Sequence, residues 1–285
     1  MWEIHNIHNA AFGKGSRTKV ADYLKEFGCK KVALLHDAAM EPTGFAAEMA
    51  DIIRSAGAEP VLYTTPADEP TSSGLDAFVV VCRAEGVDGI VALGGGSTMD
   101  TAKLAGKVLA NGGKTVDYLG GYTALSVGNK IFEPVIAVPT TAGTGSESCW
   151  GIMCLNEDTG VKTFARHPVT RAVVDPIYTM DLPADITAYT GMDALAQGAE
   201  CLVNTHAMPN RMADILSREA LALSVKYLPI AVSEPHNELA RESMCWAIGA
   251  GIINGTSSTT LSPKGSAVRS QVAVMFNRFA GGMAF

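Results

Sequence analysis

Residues 89–103 read GIVALGGGSTMDTAK, and their order of apolar, glycine and helix-forming residues is the clearest indication of the fold. Its first part, Gly89–Leu93, is an unbroken apolar run, as expected of a strand that a parallel sheet buries on both faces. From Met99 to Ala110, apolar residues recur at helical spacing. The sequence therefore predicts a buried strand, a glycine-rich turn and a helix, in that order.

The turn at Gly94-Gly95-Gly96-Ser97 has the features of an anion site. Glycine lets the backbone approach phosphate oxygens closely, and the first N–H groups of a helix carry partial positive charge. We expect Ser97 to cap the helix or donate to a phosphate, with Asp100 as the acid of a capping box. An ordinary tight turn is the alternative, because one glycine-rich motif is weak evidence. Its place after a buried strand favours the ligand site, since α/β proteins bind ligands at the carboxyl ends of strands.

The same alternation runs through the first half of the chain. Short apolar runs predict strands, and segments with helical spacing follow them. The predicted strands are Val32–Leu35, Pro60–Tyr63, Gly89–Leu93 and Pro134–Val138, and the predicted helices are Phe45–Ala56, Leu75–Glu85 and Met99–Ala110. Because alternating strands and helices imply a parallel sheet with right-handed crossovers, we predict a doubly wound α/β domain.

The pattern changes after Thr140. A turn sequence at Asn156–Gly160 predicts a hairpin, and helical periodicity dominates from Asp185 onward. The predicted strands here are Ser148–Leu155, Val161–Arg166 and Ala172–Pro176, and the predicted helices are Asp185–Val203, Asn210–Tyr227 and Asn237–Ile253. We therefore predict a dinucleotide-binding α/β domain over residues 1–182 and a helical domain over residues 183–285.

Composition excludes several classes of protein. With 47% hydrophobic and 18% charged residues, the 285-residue chain is not expected to be disordered. A net charge of −7 argues against a nucleic-acid partner, so an anionic ligand needs a local site. No apolar run reaches membrane-spanning length, and the first residues do not read as a secretory signal. Six cysteines without metal-type spacing fit free thiols, so we expect a cytoplasmic protein.

Four stretches, in this order, resemble the iron-containing (group III) alcohol dehydrogenase family. They are GGGSTMDTAK at residues 94–103, PTTAGTGSE at 139–147, Asp175-Pro176 and GMDAL at 191–195. The resemblance runs from about Phe12 to about Val203. It implies an α/β domain followed by a helical domain, hydride transfer between NAD and a small alcohol or aldehyde, and a homo-oligomer, expected to be a dimer.

The resemblance also implies cofactor-binding residues. Asp37 would face the adenosine ribose and repel a 2′-phosphate, which favours NAD over NADP. The pyrophosphate would bind at Gly94, Gly95, Gly96 and Ser97. The nicotinamide side of the cofactor would lie near Asp100, Thr140, Thr141 and Thr144, and Lys162 would approach a ribose. Two alternatives stay open: Asp37 as a loop acid or helix cap, and Lys162 as a solvated strand lysine.

The family's divalent iron or zinc is held by an aspartate, a histidine four residues later and two further histidines. Asp193 matches the first ligand, but the second position is Gln197, and a neutral amide is a poorer ligand than imidazole. His236 is the last histidine of the sequence, and we expect a shortened helical domain. His206 and His236 are substitute ligands on one interpretation, and surface or capping histidines on the other.

Three hypotheses follow. The first is an NAD(P)-dependent alcohol dehydrogenase or aldehyde reductase acting on a small alcohol or aldehyde. The second is a nucleotide-binding homologue with little or no catalysis, because the metal site is incomplete. The third is a metal-free reductase, which needs an acid such as Tyr189 or His206. The glycine turn fits all three, whereas Gln197 favours the second over the first.

Overall fold

The computed structural model describes residues 9–65, 68–120, 130–203 and 211–249. The described residues form two compact units. The first contains the chain up to Thr141 together with Ser146–Thr179, and the second contains Ala142–Gly145 and the chain from Met180 onward. The domain boundary expected after residue 182 stays a prediction.

The first unit is built on a six-stranded parallel sheet in the order β1-β8-β5-β4-β2-β3. The strands are β1 Asn9–Phe12, β2 Lys31–Asp37, β3 Glu59–Thr65, β4 Gly89–Gly94, β5 Val135–Pro139 and β8 Arg171–Val174. The helices are α1 Lys19–Phe27, α2 Phe45–Ser55, α3 Ser72–Glu85 and α4 Gly96–Asn111. The doubly wound α/β fold is confirmed.

Helices cover both faces of this sheet. On one face, Met49 of α2 packs in a core with Val32 and Leu34 of β2. On the other face, Met99 of α4 packs in a second core with Leu35. Because successive strand residues point to opposite faces, an apolar run such as β2 feeds both cores. This explains why the central strands show no alternation with polar residues.

One strand and one α-helix of the first unit were not predicted, namely β1 and α1. β1 is a four-residue edge strand whose register is set by pairing with β8, far along the chain. Asp175, at the end of β8, is fully buried and accepts hydrogen bonds from the backbone N–H of Gly15 (2.9 Å) and from Arg17 Nη1 (3.0 Å). The segment between β1 and α1 is therefore fixed by a tertiary contact that local periodicity does not reveal.

The predicted hairpin is present. Its strands are β6 Gly151–Asn156 and β7 Val161–Arg166, paired antiparallel. Its first strand begins three residues later than predicted, because Ser146–Ser148 forms a 3₁₀ turn. The hairpin lies against α4, so it belongs to the first unit.

The second unit consists mainly of helices in the residues that the structure describes, although its segment Ala142–Gly145 is not helical. Its helices are α5 Ala184–Val203, α6 Arg211–Ser233 and α7 Glu238–Gly249. α6 continues past the predicted end at Tyr227, because Pro229 is accommodated inside the helix. Gly191 of α5 packs so closely on Leu228 that a Cβ there would lie 2.2 Å from its Cδ1. The predicted part of α7 after Gly249 lies outside the described residues, as does the sequence that follows it.

Among the helices of the described ranges, none combines the length and the apolar character that a membrane span requires.

Candidate cofactor site

The carboxyl ends of β2 and β4 mark a switch point in the sheet. These strands are neighbours, with His36 in register with Leu93. The chain leaves β2 towards α2 on one face and leaves β4 towards α4 on the other. In open α/β sheets a crevice forms where neighbouring connections diverge in this way, and ligands bind there. Asp37 and Gly94, the last residues of the two strands, therefore lie at the expected ligand position.

The glycine turn places the start of α4 at this edge. Gly95 is the N-cap, in an extended conformation, and the helix begins at Gly96. The expected capping box of Ser97 and Asp100 is wrong, because Ser97 is already the second residue of the helix. A glycine cap has no side chain with which to accept from the first N–H groups. No side chain therefore caps the first turn of α4, and its first N–H groups suit an anion-binding role.

Gly94 and Gly95 differ in what surrounds them. A Cβ on Gly94 would lie 2.5 Å from Oγ1 of Thr98 and 2.6 Å from its Cβ, so glycine is needed there for packing. A Cβ on Gly95 would lie 3.6 Å from Oγ1 and Cγ2 of Thr141, which is ordinary contact. Packing therefore explains Gly94 but not Gly95. Close approach of a ligand to the backbone does explain Gly95.

Thr140 and Thr141 follow β5 directly. The backbone N–H of Thr140 donates to the carbonyl of Gly94 at 3.1 Å, which ties the ends of two neighbouring strands together. The hydroxyl oxygen of Thr141 is buried and has no hydrogen-bond partner in the described part of the chain. Buried polar atoms are normally satisfied, so this hydroxyl fits a ligand contact beside Gly95. Thr144 lies in the Ala142–Gly145 segment, which belongs to the second unit. Its expected role stays a prediction.

Asp37 serves as a cap. It is the N-cap of the 3₁₀ turn Ala38–Met40, and its Oδ1 accepts from the N–H of Ala39 at 2.9 Å. The cap that the sequence left open as an alternative is therefore present. It does not compete with a ribose contact, because a carboxylate has two oxygens and about four acceptor positions. The ribose role of Asp37 stays a prediction.

Asp100 fixes the loop that follows β5. Its Oδ1 accepts from Ser146 Oγ at 2.6 Å, and its Oδ2 accepts from the N–H of Met153 at 2.9 Å. It also pairs with Lys103 Nζ at 3.0 Å. Asp100 therefore positions backbone beyond Thr141 rather than supporting the helix start. Its expected contact with the nicotinamide stays a prediction.

Lys103 is a buried residue of this region for which the sequence predicted no role. It is fully buried, and Nζ donates to the carbonyls of Ser146 (3.0 Å) and Gly151 (2.5 Å). Burial favours a lower pKa for this ammonium, but Asp100 and its neighbours outweigh burial and raise the pKa above its usual value. The available signal was an acid three residues before a lysine on one helix, a common surface pattern that does not reveal burial.

Glu147 lies in the same cluster, and it too was missed. Its side chain is buried, and burial raises its carboxyl pKa to about 7, against the opposing effect of the Lys103 charge. Burial also raises the pKa of the neighbouring Cys149 thiol. The loop after Thr141 thus carries a carboxyl group whose charge changes near neutral pH.

Lys162 lies on β7 and forms an ion pair with Glu69. Its side chain is 45% exposed, which matches the solvated strand lysine of the alternative interpretation. Its expected ribose contact stays a prediction.

The expected metal position holds a hydrogen-bonded pair instead. Gln197 Nε2 donates to Asp193 Oδ2 at 2.9 Å, one turn apart on α5. No group of three or more His, Cys, Asp or Glu that could hold a metal ion is found among the described residues. His236 lies 3.9 Å from Asp181 with both side chains exposed, and Tyr189 is also exposed. His206 lies outside the described residues. The described residues therefore do not fit a divalent iron or zinc ion.

Matches to known protein families cover most of the sequence. Residues 8–176 match the family described as iron-containing alcohol dehydrogenase, and residues 187–262 match its C-terminal family. The second match extends beyond Val203, where the resemblance in the sequence was expected to end. The NAD-dependent methanol dehydrogenase of Bacillus methanolicus is 36% identical over 245 residues, which cover 84% of this chain and 62% of that protein.

Solved structures agree. The sulfoacetaldehyde reductase from Bifidobacterium kashiwanohense, in complex with NAD+, superposes with a TM-score of 0.82 at 34% identity, covering 89% of this chain and 66% of that one. An alcohol dehydrogenase from Oenococcus oeni gives a TM-score of 0.81 at 30% identity, covering 89% and 67%. The chain thus spans about three fifths of the length of its curated relatives. On its fold, its motifs and these matches, this chain belongs to the iron-containing alcohol dehydrogenase family.

Proposed function

We propose that this chain carries out NAD-dependent hydride transfer between nicotinamide and a small alcohol or aldehyde. The relatives include an NAD-dependent methanol dehydrogenase and a sulfoacetaldehyde reductase crystallised with NAD+. The two substrates named there differ in size and charge, so the proposal is limited to small alcohols and aldehydes. A cytoplasmic location and a homo-oligomer belong to the same proposal. The six free cysteines support a reducing compartment.

One observation supports the cofactor part most strongly. The buried Thr141 hydroxyl without a partner and the glycine that packing does not require lie beside each other, at the start of α4. A donor, an open backbone and a helix N-terminus together match the needs of a pyrophosphate. NAD, when bound, would accept or give the hydride.

The residues of the site have distinct proposed roles. The first N–H groups of α4 and the Thr141 hydroxyl would bind the pyrophosphate. Asp37, at the end of the neighbouring strand, would accept from the adenosine ribose, and its charge would disfavour a 2′-phosphate. Asp100 and Lys103 would position the loop after β5 through the bonds described above.

A second candidate function is nucleotide binding with little or no catalysis. The hydrogen bond between Gln197 and Asp193 favours it, because this pair occupies the position where the family resemblance implies metal ligands. A Lewis-acid metal contributes several kcal/mol of charge stabilisation to such reactions, so its loss without a replacement costs roughly a thousandfold in rate.

Two measurements test the proposal. Titration with NADH, followed by its fluorescence, is expected to show saturable binding, and Gly95→Ala is expected to weaken it. Gly198→Ala is the matched control: it adds a methyl to a glycine of the second unit, where the nearest atom is 3.4 Å away. NADH oxidation with a panel of small aldehydes then separates the two candidates. Binding with turnover supports the first function and binding without turnover supports the second. Absence of NADH binding overturns both.

A further inference from the structure

In the hydrogen bond between Asp193 and Gln197, the amide of Gln197 is the donor. The amide nitrogen of Gln197 lies 2.9 Å from Asp193 Oδ2, so an N–H group points at the carboxylate oxygen. Residues four apart lie on the same face of a helix, one turn above the other. This is the spacing at which two side chains could hold one metal ion, and here the two side chains bind each other.

The chemistry of the amide opposes metal binding at this position. An amide nitrogen that donates has no lone pair to offer a cation, so the amide would have to turn and present its oxygen. That oxygen is a hard ligand, suited to calcium or magnesium, whereas iron and zinc favour imidazole. Turning the amide also breaks its bond to Asp193. Metal binding at Gln197 therefore has to replace an interaction that is already made.

Further ligands are also lacking in the part of the chain that the structure describes. No group of three or more histidine, cysteine, aspartate or glutamate side chains that could hold a metal ion is found there. His236 lies beside Asp181, and its side chain is 74% exposed. Iron and zinc sites usually need three or four protein ligands, and one carboxylate does not supply them.

We propose that Asp193 and Gln197 form a metal-free hydrogen-bonded pair, and that this chain folds and binds its nucleotide without iron or zinc. The inference rests on the proposed function for the identity of the nucleotide. The part that concerns metal stands on the pair and on the ligand set of the described residues. It predicts a protein whose stability and NADH affinity do not respond to chelators, in contrast to the name of its family.

The first test is the metal content of the full chain, purified from cells grown with added iron and zinc, measured by elemental mass spectrometry. We expect far less than stoichiometric metal and no change in Tm on addition of Zn²⁺, or of Fe²⁺ without oxygen. Stoichiometric metal in the wild type that is lost in Asp193→Asn overturns the proposal. Asp193→Asn conserves size, and its Tm reports whether the variant folds.

A gain-of-ligand variant tests the role of the amide. Gln197→His places an aspartate and a histidine four residues apart, and we expect its Tm to rise with Zn²⁺. The double variant Asp193→Asn, Gln197→His is expected to lose that rise. If Zn²⁺ raises the Tm of wild type as much as that of Gln197→His, the amide does not prevent binding and the proposal is overturned.

NADH titration with and without EDTA separates this inference from the proposed function. Equal affinity under both conditions supports the inference, and affinity lost with EDTA overturns it. A protein that binds neither NADH nor metal contradicts the proposed function and leaves the metal-free pair supported.

Discussion

Thr141 and Gly95 face each other at the ends of two neighbouring strands: a Cβ on Gly95 would stand 3.6 Å from the Thr141 hydroxyl oxygen. That oxygen is buried and has no partner in the described part of the chain. The fold therefore leaves a donor and an open stretch of backbone beside the first turn of α4. Neither feature is required for packing, and both are consistent with the cofactor site proposed above.

Gly95→Ala is expected to weaken NADH binding and to leave the fold intact. Gly95 has a φ of −77°, which alanine adopts without strain, and the added methyl makes only ordinary contacts. The methyl would occupy the approach to the backbone, so we expect NADH affinity to fall about tenfold or more, or ~1.4 kcal/mol. Fluorescence titration measures the affinity, and urea denaturation measures the stability. Unchanged affinity would place the pyrophosphate elsewhere.

Gly94→Ala, one residue earlier, is expected to act on stability. Its methyl would lie 2.5 Å from Thr98 Oγ1 and 2.6 Å from Thr98 Cβ. Overpacking of this kind costs about 1–3 kcal/mol of the free energy of unfolding. Urea denaturation is the measurement, and a variant as stable as wild type would contradict the packing described here. The two neighbouring glycines thus give two different phenotypes.

Thr141→Val is expected to separate binding from stability. Valine has the same shape without the hydroxyl, and a buried hydroxyl without a partner costs about 1–3 kcal/mol. We therefore expect a free energy of unfolding equal to or above that of wild type, and weaker NADH binding.

Thr179→Val is the matched control for that variant. Thr179 is also buried, but its Oγ1 donates to the carbonyl of Pro176 at 2.8 Å. Its replacement is expected to reduce stability by about 1 kcal/mol and to leave NADH affinity unchanged. If Thr141→Val loses stability as Thr179→Val does, the Thr141 hydroxyl has a partner within the protein and the argument for a ligand fails.

Lys103→Met is expected to be strongly destabilising. It removes a fully buried ammonium from Asp100 at 3.0 Å and from three backbone carbonyls. Breaking a buried pair by removing one partner costs about 3–5 kcal/mol. Adding Asp100→Asn is expected to recover part of this loss, because no unpaired carboxylate then remains. Lys19→Met, which removes an exposed pair with Asp22, is expected to cost less than about 1 kcal/mol. Equal losses for the two lysines in urea denaturation would contradict the burial of Lys103.

Glu147→Gln is expected to change how stability depends on pH. Burial raises the folded-state pKa of Glu147 to about 7, above its ordinary value of 4.5. Between these values the folded protein binds more protons than the unfolded chain, so Glu147 lowers stability as pH rises from 4.5 to 7. We expect the variant to gain stability relative to wild type over this range, by up to about 3 kcal/mol.

His167 lowers stability as pH falls, whereas Glu147 lowers it as pH rises, and the two pH ranges overlap. Burial lowers its pKa from 6.5 to about 4, so its protonation reduces stability as pH falls below 6.5. Its contribution is common to wild type and Glu147→Gln, and the difference between them isolates Glu147. A difference that stays constant from pH 4.5 to 7.5 would contradict the raised pKa.

The sequence was sufficient to predict the centre of the sheet. β4 and β5 are unbroken apolar runs followed by loops of small residues, and strands of this kind are recognisable without tertiary information. β1 was missed because four residues at a sheet edge have no periodicity of their own, and their pairing with β8 sets them in place. The predicted start of α4, at Met99, is three residues too late, because a run of three glycines is typical of a turn. In the structure Gly95 is the N-cap and the helix begins at Gly96.

The candidate site also contains some residues that the local sequence predicts and others that it does not. Gly95 and Thr141 were predicted from motifs that lie next to strands. Lys103 was not predicted, because the backbone carbonyls that it binds lie more than forty residues away along the chain and only the fold brings them together. The bond between Gln197 and Asp193 follows from helical spacing, but its direction required the side-chain geometry.

Hydrogen exchange at the start of α4 tests whether the pyrophosphate binds at the glycine turn. We expect saturating NADH to slow exchange of the Gly96, Ser97 and Thr98 amides by about tenfold or more, because the pyrophosphate would accept from them. The peptide spanning these residues can be compared with one from α7 as an internal reference. Exchange at Gly96–Thr98 that stays unchanged while NADH binds would contradict the account, because the nucleotide would then lie away from the glycine turn.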